Sequence, residues 1–191
     1  VPIDPVIPIL YMITCGYLYY SIFPIFYSQL RTGLYGQPFT VWKLRSMRPN
    51  AEQAGVQWSN INDQRVTRIG SVLRRSRLDE LPQLWTVFSG RMSLIGPRPE
   101  RPEFDLDLMT QIPHYRLRHY MRPGLSGWAQ VNYPYGASVN DSANKLSYDL
   151  YYLLNFSIWL DILIFFTFSC RLLNMTYNEI IIFKIYLWHR S

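Results

Sequence analysis

Cysteine, lysine and histidine are all scarce in this 191-residue chain, and each shortage removes a class of chemistry. Cys15 and Cys170 lie 155 positions apart in apolar runs, so neither a disulfide framework nor a cysteine metal site is expected, only buried free thiols. His114, His119 and His189 show no metal-ligand spacing and are read as structural. No glycine-rich loop of Walker or Rossmann spacing occurs, no Ser-His-Asp or Cys-His arrangement can be inferred, and there is no internal repeat. Charge is missing from whole regions: residues 5–30 contain no Asp, Glu, Lys or Arg, and residues 150–170 contain only Asp161. With 49% hydrophobic and 17% charged positions the chain has the length and composition of one ordered domain. Its mean hydropathy of −0.05 averages over two apolar ends and a charged middle.

What the chain has in quantity is arginine. Lys43, Lys145 and Lys184 are the only lysines among 19 basic residues, and residues 31–122 hold 15 basic against 8 acidic side chains. Arginine grips phosphate bidentately, so a formal net charge of +6 points to an anionic partner: nucleic acid, lipid headgroups or a phosphorylated small substrate. Nucleic acid would need aromatics interleaved with Arg as stacking platforms. Most Tyr, Phe and Trp lie instead in the apolar ends, where they suit a membrane interface, so nucleic acid is not expected as a partner.

The apolar run over residues 9–23 is shorter than the roughly 20 residues a spanning helix needs, which suits a buried core helix or a re-entrant or interfacial membrane segment. The chain starts at Val1 and is expected to begin partway through a longer apolar element. PFTVWKL alternates and predicts a strand around 39–43; residues 48–65 read as a loop and 68–75 as a helix. Leu81, Leu84, Trp85 and Phe88 have the spacing of one buried helical face, stopped by Gly90. Beyond it come a helix near 104–121, a loop with a short strand in RPGLSGWAQVNYPYG, and a helix over 142–173.

Asp79 and Glu80 stand at the start of the 81–88 pattern, with Ser76 three residues earlier in capping-box spacing. Acidic residues at a helix start are accounted for by capping and the macrodipole. Adjacent helical side chains diverge by about 100°, so the pair could instead serve two tasks, one as nucleophile and one holding a metal. The cluster Arg74, Arg75 and Arg77 just upstream exceeds what a cap requires. Arg98 lies between Pro97 and Pro99, which suits either a rigid phosphate clamp or a stiff surface turn. Arg118 and Arg122 share a predicted helix face with no acidic neighbour, compatible with an external anion, a solvated face or a membrane-surface contact.

Taken together, QLRTGLYGQPFTVWKLRSM, RVTRIGSVLRRSRLDELPQLWTVFSGRMSLIGPRPERPEF, YRLRHYMRPGLSGWAQVN and KLSYDLYYLLNFSIWLDILI resemble the bacterial sugar transferase family, the monotopic phosphoglycosyl transferases, over about residues 24–172. The resemblance implies an α/β fold, mostly helical with short strands. It would be a compact monotopic membrane-associated catalytic domain with a partial re-entrant N-terminal helix and amphipathic helices. Its divisions would be residues 1–30 as membrane segment, 31–173 as catalytic domain and 174–191 as a tail with no counterpart. It implies transfer of sugar 1-phosphate from a nucleoside diphosphate sugar, usually a UDP-sugar, to polyprenyl phosphate, initiating exopolysaccharide or O-antigen-type glycans, with Mg2+ as cofactor. Asp79 would be the nucleophile forming a covalent phosphosugar intermediate and Glu80 would help bind Mg2+. Lys43, Arg74 and Asp149 match positions placed around phosphate and metal, and Arg98 would lie near the nucleotide. The implied location is the inner membrane of a bacterium, facing the cytoplasm, with membrane lipid as a partner and a homodimer compatible. A missing N-terminal half-helix would also fit a catalytically silent membrane-docking fragment.

Overall fold

The computed structural model describes residues 25–53, 55, 63–134, 136 and 138–172. The run over 9–23, Cys15 and the tail 174–191 lie outside them. The fold is mixed α/β, about half helical with short strands, and no helix among the described residues is long and apolar enough to cross a membrane.

Strands β1 (Phe26–Thr32) and β2 (Pro38–Leu44) form an antiparallel ribbon in which Arg31 faces Phe39 and Tyr27 faces Lys43. Strand alternation puts Phe39, Val41 and Lys43 on one face; Phe39 and Val41 are buried with Met92, and Lys43 extends that face towards the carboxylates. β1 begins before the expected division at residue 30, inside sequence read as apolar membrane segment.

Helix α1 (Arg68–Arg75) is capped by the Thr67 hydroxyl, which accepts from the Gly70 amide. Gly70 is required by proximity: a Cβ there would stand 1.9 Å from the Ser46 carbonyl oxygen. The close approach lets Arg74, one turn on, donate from Nε to Ser46 Oγ at 2.9 Å. Asp79 and Glu80 sit in a single 3-10 turn, Leu78–Glu80, ahead of α2 (Gln83–Phe88). Ser76 does not cap that turn: its hydroxyl donates back to Val72 and Leu73 at the end of α1.

α2 is oriented opposite to its hydrophobic pattern. Gln83 and Thr86 are buried, whereas Leu81, Trp85 and Phe88 are 51%, 76% and 85% exposed. Periodicity locates an apolar face correctly but does not say whether protein or another apolar phase covers it.

β3 (Ser93–Ile95) pairs in parallel with β4 (Gly124–Ser126). Between them, α3 (Pro102–Gln111) ends where Pro113 disfavours helix in Ile112, and His114 enters the left-handed region at φ 62 before a 3-10 turn, Tyr115–Tyr120. The single helix expected over 104–121 is thus two elements, and Arg122 falls beyond the second, exposed. After the short α4 (Trp128–Asn132), the stretch expected as one helix divides at Phe156 into α5 (Val139–Asn155) and α6 (Ile158–Leu172). α5 starts on a capping box between Ser138 and Asp141. Ile95, Val131, Tyr152 and Ile164 pack one core cluster, and Leu108, Ile112, Tyr115 and Leu146 pack a second. Cys170 is a free, half-buried thiol.

Candidate active site

The 3-10 turn, the end of β2, α1 and the Pro97–Pro99 segment converge on Glu80. Its Oε1 faces Arg98 Nη2 at 2.6 Å, Lys43 Nζ at 3.4 Å and Arg77 Nη1 at 3.7 Å, with 5% of the residue exposed. Burial alone would raise the Glu80 carboxyl, but Arg98 and Lys43 together hold it well below the ordinary range. Arg98 is raised in turn by Glu80. Burial pulls Lys43 down to about 8 despite Glu80, with Arg98 and Arg31 adding to the fall.

Arg77 adopts the left-handed conformation at φ 57, a placement costing an ordinary side chain on the order of 1 kcal/mol. It turns the chain so that both acids after it point inward: Asp79 is 7% exposed. Asp79 Oδ1 has no hydrogen-bond partner among the described residues. Its carboxyl is pushed up by burial and by Glu80, against the pull of Lys43, Arg74 and Arg77. One acid therefore has one oxygen, Oε1, crowded by three cations, and the other is held beside them with a lone pair uncommitted.

Arg98 is fixed through its backbone. Four consecutive carbonyls accept from three elements, the 115–120 turn, β4 and, twice, β1: Pro97 from the Gly124 amide at 2.9 Å, Arg98 from Arg118 Nη2 at 2.8 Å, Pro99 from Arg31 Nη1 at 3.1 Å and Glu100 from the Thr32 amide at 2.9 Å. The two prolines stiffen a segment that the rest of the fold already grips.

Arg118 has the acidic partner its sequence neighbourhood lacks. Asp149 Oδ2, on α5, stands 2.8 Å from Arg118 Nη2, off the hydrogen-bond direction, and both residues are buried. Against burial, Asp149 and Tyr115 raise Arg118; burial raises Asp149 although Arg118 opposes it. None of the three readings left open for Arg118, an external anion, a solvated face or a membrane contact, holds, because it is buried against Asp149. Of the residues matched to phosphate or metal positions, Asp79, Glu80, Lys43, Arg74 and Arg98 surround one site. Asp149 stands behind it, acting on Arg98 through Arg118.

The family model for bacterial sugar transferases matches residues 3–174. The chain belongs to the bacterial sugar transferase family. Its sequence is 49% identical over 143 residues to a UDP-N-acetylgalactosamine-undecaprenyl-phosphate N-acetylgalactosaminephosphotransferase of Aeromonas hydrophila, covering 75% of this chain and 34% of that protein. It is 41% identical over 170 residues to a UDP-glucose:undecaprenyl-phosphate glucose-1-phosphate transferase of Xanthomonas campestris pv. campestris, covering 87% and 35%. A protein of the same name from Klebsiella pneumoniae is 39% identical over 161 residues, covering 83% and 35%. The chain spans about a third of the length of these relatives.

No group of three or more His, Cys, Asp or Glu able to hold a metal exists among the described residues. The donor set fits Mg2+ in a different way. Mg2+ keeps several waters and binds through one or two carboxylates plus substrate phosphates, and Asp79 Oδ1 with the Glu80 carboxylate would be two such oxygen donors. Sequence reasoning missed Arg31 and Gln83, which line a recess with Lys43 and Arg98. The alternation of β1 could have placed Arg31; the inside-out seating of α2, which buries Gln83, leaves no local signal.

Proposed function

We propose that this chain is the catalytic region of a phosphoglycosyl transferase that moves sugar 1-phosphate from a UDP-sugar to undecaprenyl phosphate. The observation that carries the reading is the unpartnered Asp79 Oδ1, buried beside a Glu80 whose Oε1 three cations face. A carboxylate is a weak nucleophile towards a diphosphate unless the charge between them is neutralised. Lys43, Arg74, Arg77 and Arg98 surround the two acids, a cationic surplus suited to a diphosphate.

In the first step Asp79 attacks the β-phosphorus and the α–β bridging oxygen leaves with UMP, giving an acyl phosphosugar on Asp79. In the second, an oxygen of undecaprenyl phosphate attacks the same phosphorus, releasing the Asp79 carboxylate and forming the lipid diphosphosugar. Glu80 holds Lys43 and Arg98 in place, and Arg98 meets the diphosphate on its clamped segment. Asp79 and Glu80 would hold Mg2+, which supplies Lewis-acid neutralisation of the diphosphate when bound.

The acceptor's chemistry accounts for the exposed apolar surface. Leu78, Leu81, Trp85 and Phe88 emerge directly from the segment carrying the two acids, and a protein that works on a lipid phosphate gains by docking them into a bilayer. Monotopic association with the cytoplasmic face of the inner membrane is part of the proposal, because UDP-sugars are water-soluble and the acceptor is not. Membranes carrying the protein, given labelled UDP-sugar and undecaprenyl phosphate, should yield lipid-linked label and an equal amount of UMP. Asp79→Asn should lower the rate by at least about a thousandfold. Label transfer at the wild-type rate in Asp79→Asn would sink the nucleophile assignment, and turnover by the wild-type chain excludes a silent docking fragment.

A further inference from the structure

Arg31, Val41, Lys43, Gln83, Arg98 and Pro99 line a recess on the inner side of α2. Three features set it apart from ordinary packing. Gln83 is 4% exposed, yet its Nε2 has no hydrogen-bond partner among the described residues, and a buried donor left unmade is destabilising. Three cations share the recess, while the carboxylates at its edge are Glu80, already facing Lys43 and Arg98, and Glu100, 3.9 Å from Arg31. Its walls are also fixed, because the Arg31 guanidinium is tied to the Pro99 carbonyl and the Arg98 carbonyl to Arg118. A preformed set of N–H donors with surplus positive charge suits a phosphate oxygen.

The two phosphates of the proposed reaction differ in where they come from. Along α2, Gln83 and Thr86 turn inward while Trp85 and Phe88 turn outward. If the outward side meets the bilayer, the recess is on the side away from the lipid. We propose that Gln83, with Arg31, binds a phosphate oxygen of the water-soluble nucleoside diphosphate sugar, and that this recess is the donor's diphosphate subsite rather than a seat for the lipid phosphate. The inference rests on the transferase reading above and adds Gln83 and Arg31 to its donor-binding residues.

Gln83→Leu tests it, because the substitution keeps bulk and removes the amide. UDP alone, titrated calorimetrically into the detergent-solubilised protein, should bind the variant about tenfold or more weakly than wild type. The ligand-free Tm should stay level or rise, since an unpartnered donor has gone, and affinity for undecaprenyl phosphate in the same detergent should be unchanged. Should the variant not fold, Gln83→Glu serves, putting an anion where the amide was and weakening UDP at least as much. UDP affinity within twofold of wild type in a folded variant overturns the inference, as does weakened undecaprenyl phosphate binding with UDP unaffected. A wild-type protein that binds no UDP brings down the donor reading itself, a result distinct from failure at Gln83 alone.

Discussion

Among the described residues, two encounters between a buried acid and arginine are built differently. At Asp149 and Arg118 one carboxylate meets one guanidinium at 2.8 Å with 2% and 7% of each side chain exposed. At Glu80 three cations crowd one oxygen, two of them on side chains 35% and 46% exposed, and a second acid stands by with an uncommitted oxygen. The first is matched and sealed; the second is unmatched and reachable from solvent. A sealed pair has nothing left to offer a ligand. An unmatched cluster at a surface retains charge that only an incoming anion completes.

Exchanging acids between roles should break or sharpen this contrast. After Asp79→Asn, the largest expected effect is at Glu80: Glu80→Gln releases Lys43, Arg77 and Arg98 from their shared anchor and should lower transfer at least about a hundredfold, while Tm changes modestly because the partly exposed Arg77 and Arg98 guanidiniums regain water. A variant that keeps its turnover but loses its cooperative melt would invert the assignment. Next is Arg118→Ala, which strands a buried carboxylate and should cost about 3–5 kcal/mol of stability in a denaturant titration. Near-normal stability would show that the pair is not sealed.

A smaller effect is the pH response of Lys43. Its folded-state pKa of about 8 is below the ordinary 10.5, so above pH 8 the folded chain loses a proton the unfolded chain keeps, and stability gains from this group as pH rises between those values. Function runs the other way, because the cation is lost. UDP affinity should fall severalfold from pH 7 to 9 with an inflection near 8, and Lys43→Arg should flatten that profile. A flat profile in wild type would contradict the placement of Lys43 at the donor. The smallest expected effect is the stability change in Trp85→Glu or Phe88→Glu, within about 0.5 kcal/mol because both side chains are already exposed. The same variants should reduce sedimentation with phosphatidylglycerol vesicles, and undiminished sedimentation would remove this face from the membrane contact.

The features legible in the sequence are local. Helix α1 and strand β2 arise from capping, periodicity and alternation, and the clustering of arginines around Asp79 and Glu80 is visible in a dozen residues. The hidden features are long-range or directional. Arg118 looks unpaired over one helical turn because its acid is 31 residues away on another helix. Pro113 signals the break before Tyr115, yet the residues on either side of it read as one continuous helix. The 81–88 pattern identifies an apolar stripe but predicts it inside, since spacing carries no information about which phase the stripe meets.

The gripped carbonyls of residues 97–100 have a consequence for binding entropy. Each anchor removes freedom from the Arg98 backbone during folding, so little remains to be lost when a diphosphate arrives, and more of the contact energy appears as affinity. The same stiffness limits tolerance. A guanidinium that cannot follow its ligand measures the distance from Asp79 to the phosphate, and a donor whose phosphates lie about an ångström off that distance would meet the arginine without meeting the nucleophile.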